Sequence, residues 1–107
     1  MLQDAQARAL QELGRMEEAE ALFRQVIALR EELLPEDHPD LASSYSNLGL
    51  HLDLFKKLEE GEAMHRRALD IYRRILGDRH PTTAIALNNL AAGLKSQDHP
   101  AEAEPIQ

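Results

Sequence analysis

Five histidines are the first residues in this sequence that could do chemistry, because a neutral imidazole ligates metal ions and moves protons near neutral pH. Their spacing argues against both uses. His38 and His80 are each followed by proline, in two His-Pro steps that stand 42 residues apart, so both are expected to cap helices. His51 and His65 fall in separate segments, and neither belongs to an HExxH arrangement. His99 precedes Pro100 and is assigned to a turn. No metal and no cofactor are expected.

The acids and hydroxyls lead the same way. Glu17-Glu18, Glu31-Glu32 and Glu59-Glu60 are pairs of the kind that supply acid and base groups. Neighbours on a helix, however, point about 100° apart, so these pairs read as solvated faces. Ser43, Ser44, Ser46 and Ser96 show no accompanying base, and the five glycines are scattered rather than gathered into a phosphate loop. Cysteine is absent, which removes thiol catalysis, disulfides and Cys-type zinc sites. The expectation is a protein without catalytic activity.

Charge narrows the partners. The 107 residues carry 12 Lys and Arg against 19 Asp and Glu, a net charge of -7, so nucleic acid is not an expected partner. Apolar runs are only a few residues long, and acids are spread through the first twenty residues. No membrane span or leader is therefore expected, and the expected address is the cytoplasm. Arg66-Arg67 and Arg73-Arg74 lie at a spacing that stacks them into a basic ridge. Glu62 and Asp70, four residues before Arg66 and Arg74, are expected to pair with it.

The elements that would position these side chains follow from an internal repeat. His38-Pro39 recurs as His80-Pro81, Asn47-Leu48 as Asn89-Leu90 and Glu20-Ala21 as Glu62-Ala63, always 42 residues on. Between Glu17 and Leu34, Ala21, Leu22, Val26, Leu29 and Leu33 keep helical spacing, and so do Leu41, Tyr45, Leu48, Leu52 and Phe55 between Pro39 and Lys57. Helices over Glu59 to Leu76 and Pro81 to Ser96 repeat the pair, and Pro100 opens one more. No strand pattern appears. The expected fold is all-α: a solenoid of about five helices in antiparallel pairs. Its expected organisation is a partial unit over 1–18, units over 19–60 and 61–102, and the start of a further helix over 100–107.

The segments AEALFRQVIALREELLPEDHPDLASSYSNLGLHLDLF and GEAMHRRALDIYRRILGDRHPTTAIALNNLAAGL carry a family pattern. Their His-Pro start, their Asn-Leu-Gly or Asn-Leu-Ala core and the Glu-Ala opening of the second helix resemble tetratricopeptide repeats of the long kind found in kinesin light chains. The resemblance implies a non-catalytic module that holds a partner protein or peptide in a concave groove lined by the first helix of each pair. Aligned residue by residue, it implies groove positions at Asp4 and Arg8, then Ser43, Ser46, Asn47 and Leu50, then Ile85, Asn88, Asn89 and Ala92. Side-chain amides at Asn47 and Asn89 can hydrogen-bond a peptide backbone whatever its sequence; they can equally bridge neighbouring helices. Leu54 and Ser96 stand where a clamp for a terminal carboxylate would need bases. His65 in place of Phe23, Gly61 in place of Ala19 and Lys56 in place of Gly14 depart from the pattern, so the middle turn is expected to be less regular. Exposed solenoid ends would also allow a homo-oligomer or continuation in a longer repeat protein.

Overall fold

The computed structural model describes residues 14–98, and within them the chain forms four helices and no strand. They are α1 (Met16–Leu33), α2 (Pro39–Leu54), α3 (Leu58–Leu76) and α4 (Pro81–Asp98). The segment from Leu2 to Leu13 and the helix opened by Pro100 lie outside the described residues, as do Asp4, Arg8 and His99. Four of the about five expected helices are therefore seen.

Local chemistry sets the boundaries. Glu17 and Glu18 in the first turn of α1 and Arg30 in its last turn suit the helix dipole. The chain turns extended at Leu34, before Pro35, as a residue preceding proline must. His38 then caps α2, its Nδ1 accepting the Asp40 N–H at 3.0 Å, with Pro39 in the first turn. His80 repeats the arrangement on the Thr82 N–H at 3.1 Å. The two His-Pro steps are thus helix starts.

The middle turn corrects an expectation. Lys56, where Gly14 stands one unit earlier, has φ 64, and Gly14 has φ 81. The Lys57 N–H reaches Leu52 O at 2.8 Å and the Lys56 N–H reaches Asp53 O at 3.1 Å, the paired bonds of a Schellman motif. The turn is thus a regular one, with a lysine held in the left-handed region that Gly14 also adopts.

The buried face of α2 contains Leu41, Tyr45, Leu48 and Leu52, as its spacing predicts. On α1 the buried residues are Ala19, Phe23, Val26, Ile27 and Arg30, whereas Ala21, Leu29 and Leu33 face solvent. Two apolar stripes share that helix, and the one that includes Phe23 is the one that packs.

Neighbouring helices pack in sequence order: α1 on α2, α2 on α3, α3 on α4. The two first helices, α2 and α4, also approach each other, while no Cα pair of α1 and α3 comes within 8 Å. Long side chains span that outer gap: Lys57 Nζ to Glu20 Oε1 at 3.1 Å, Arg24 Nη2 to Glu60 Oε2 at 3.1 Å and Arg67 Nη1 to Glu31 Oε2 at 4.0 Å. Close inner helices and splayed outer helices curve the stack toward the α2 and α4 side.

Candidate interaction groove

The inner layer carries the positions that the repeat alignment marks. On α2, Ser43, Ser46 and Asn47 are half-buried and Leu50 is exposed. On α4, Ile85, Asn88 and Ala92 are exposed and Asn89 is half-buried. Eight of the ten residues assigned to the groove therefore lie on two adjacent helices; the other two, Asp4 and Arg8, lie outside the described residues. Asn47 also has an interaction within the chain.

Charge separates the layers. α1 presents Glu17, Glu18, Arg24, Glu31 and Glu32 to solvent, and α3 presents Glu59, Glu60, Arg66, Arg67, Asp70, Arg73 and Arg74. By contrast α2 contains only Asp40 and Asp53 as acids and no Lys or Arg, and α4 has only Lys95 and Asp98. Apolar side chains stand exposed among these uncharged residues: Leu50 at 45%, Leu54 at 65%, Ile85 at 61% and Leu87 at 45%, whereas the exposed Leu29, Leu33, Ile75 and Leu76 of the outer helices stand among charges. Leu54 is missing from the aligned groove set, yet it follows Leu50 by one helical turn and extends the same uncharged surface.

The arginines of α3 find acids. Arg66 Nε bonds Glu62 at 2.8 Å, Arg74 reaches Asp37 through Nη2 at 2.7 Å and Asp70 through Nη1, and Arg73 Nε lies 3.2 Å from Asp78. The expected pairing along the helix is present, and Asp37 and Asp78 add partners from the loops. Glu20 repeats the Glu62 motif with Arg24 at 3.0 Å. Burial works to raise the Glu20 pKa, but hydrogen bonds from Lys57 and Arg24 outweigh it and hold the carboxyl below its ordinary value.

Polar groups also enter the core. His65 Nε2 donates to Asp53 Oδ2 at 2.9 Å, with the His65 side chain at 0% exposure. Its Nδ1 and Asp53 Oδ1 have no hydrogen-bond partner among the described residues. A Cβ on Gly49 would sit 2.7 Å from the His65 ring and one on Gly61 would collide with Asp53 Oδ1, so both glycines make room for the pair. Arg30, likewise buried, donates to Asp40 O and to Ser44 Oγ. Sequence reasoning noticed His65 and Gly61 as departures but not the link to Asp53. An imidazole sealed this completely is out of a reactant's reach. Among the described residues no three His, Cys, Asp or Glu gather into a metal site. None of the described helices is long and apolar enough to cross a membrane.

Comparison with known proteins places this architecture. The family model described as the tetratricopeptide repeat matches residues 2–60 and again 54–107. Among solved structures, the chain superimposes on a Podosopora anserina protein assigned as a kinesin light chain with nearly identical TPR-like repeats. The TM-score is 0.83 at 26% identity, over 94% of this chain and 48% of that one. BtubC (BKLC) from P. vanneervenii gives the same TM-score of 0.83 at 22% identity, over 97% of this chain and 41% of that one, a likeness of fold. This chain thus spans less than half the length of either structure. No curated protein matches its sequence.

Proposed function

We propose that this chain, which belongs to the tetratricopeptide repeat family, is a non-catalytic module that binds a protein or peptide partner along the groove of α2 and α4. Repeats of this family mediate protein–protein interaction. The observation that carries the groove reading is the contrast between layers. Charged residues crowd the outer helices, while the inner pair exposes Leu50, Leu54 and Ile85 among serines and asparagines. Solvent faces of helices are normally charged, and an uncharged face that also exposes apolar side chains marks an interaction surface. Asn89 and Asn47 would add amide hydrogen bonds to a partner's backbone. The test is Asn47→Ala with Asn89→Ala, checked for unchanged helicity. Binding of the partner should fall by about tenfold or more, and unchanged affinity removes the two amides from the site.

One observation favours a second reading, self-association through the α4 flank. Leu87 is 45% exposed where Tyr45, its counterpart one repeat earlier, is 6% exposed. Ala84 is exposed where Ala42 is buried. A mass that rises with concentration in sedimentation, and falls back with Leu87→Glu, would support that reading; a constant monomer mass would reject it.

A further inference from the structure

Resting on the groove reading, the geometry points to the chemical class of the partner: an uncharged segment that carries apolar side chains, with acidic segments excluded. Along the exposed face of α2, Ser43, Ser46, Asn47, Leu50 and Leu54 carry no charge. The two acids of that helix are otherwise placed. Asp53 is turned to the buried His65, and Asp40 sits in the first turn, its carboxylate 4.0 Å from His38. On α4 the run from Pro81 to Leu94 has no ionisable side chain.

A charged residue of a partner pressed against Leu50 or Ile85 would lose hydration and find no opposite charge, which is costly, whereas an apolar side chain gains by covering them. Of the basic groups that could draw an acidic segment, Arg66, Arg73 and Arg74 on α3 are already matched by Glu62, Asp78, Asp37 and Asp70, and Lys95, near the end of α4, is the one Lys or Arg of the inner helices. The centre of the site is thus neutral, as the buried centre of an interface is, with charge kept to its rim. Binding through such a centre responds weakly to salt, because Debye screening acts on charge pairs.

The experiment is selection of phage-displayed random dodecapeptides on the intact chain, followed by affinities of the enriched peptides as synthetic probes. They are measured at low salt and at about 0.5 M NaCl, on the native chain and on Leu50→Glu with Ile85→Glu. Leu50→Ser with Ile85→Ser, matched for helicity, controls for folding. The proposal expects uncharged peptides with apolar residues, affinity changing less than about twofold with salt, and a loss of about tenfold or more in the Glu variant with a smaller loss in the Ser variant. Enrichment of acidic peptides, or a steep fall with salt, overturns the neutral class. If such peptides still respond to Asn47→Ala with Asn89→Ala, the groove reading survives. Peptides indifferent to every groove variant, or no enrichment at all, overturn both.

Discussion

Two junctions of this solenoid occupy equivalent places and are built from different chemistry. Where α1 meets α2, Phe23 lies against His51 with ring centroids 5.3 Å apart and Ala19 packs beside them at 0% exposure. One repeat later, the places of Phe23, Ala19 and His51 are taken by His65, Gly61 and Gly93. There the imidazole bonds Asp53 instead of stacking on a ring. The difference teaches that the repeat dictates how helices approach, while the filling of each junction is a local solution. A large ring facing a ring in one place becomes a hydrogen-bonded ring facing glycines in the other.

The largest effect that should separate the junctions comes from truncating their central side chains. Phe23→Ala is expected to cost about 3–5 kcal/mol, since it leaves a cavity in an apolar wall. His65→Ala should cost less, about 1–3 kcal/mol, because it removes a polar group and strands only a partly exposed carboxylate. Chemical denaturation of both variants measures this, and equal losses would mean that the polar junction packs as tightly as the aromatic one. Gly61→Ala is expected to destabilise by about 1–3 kcal/mol despite alanine's better helix propensity, as its Cβ meets Asp53 Oδ1. Adding Asp53→Ala should partly restore stability. The Gly49 carbonyl oxygen, 3.2 Å from the new Cβ, limits the recovery.

Acid should weaken the aromatic junction through His51. Burial lowers its pKa below the ordinary 6.5, so the folded chain holds the ring neutral while the unfolded chain takes up a proton. That stabilisation is complete above the unfolded value and is lost as pH falls through the window down to the lowered folded value. Melting temperature followed from pH 7 downward through about 6.5 should therefore decline, and His51→Phe should flatten that portion of the curve. Glu20 adds a separate loss at lower pH, as its depressed carboxyl is protonated. The smallest effect belongs to the turn between the junctions. Lys56→Gly should stabilise the protein by about 1 kcal/mol, by relieving a side chain held at positive φ. A neutral or destabilising result would show that the Lys56 side chain contributes something glycine does not.

Much of the architecture was legible because it is punctuated. The His-Pro steps gave two helix starts, and the constant offset gave the pairing. The α1 face was misread in part, for a physical reason: Leu22 and Val26 pack as expected, but Ala21, Leu29 and Leu33 keep helical spacing as faithfully as Ala19 and Phe23, and only the neighbour decides which of them is covered. Asp53 and His65 were illegible as a pair because they sit on different helices and outside the repeat. Their counterparts are Lys95 and Phe23. In the groove, the alignment supplied Ser46, Asn47, Asn88 and Asn89, but the exposure of Leu54 and the neutrality of the whole inner layer needed the stacking of α2 beside α4.

The most direct test of the central claim is an amide chemical-shift titration of the labelled chain with a peptide enriched on it. Groove binding predicts the largest shifts at Ser46, Asn47 and Leu50 of α2 and at Ile85, Asn89 and Ala92 of α4, with α1 and the exposed side of α3 unchanged. Shifts confined to α1 and α3, or to Ala84 and Leu87 on the α4 flank, would contradict it.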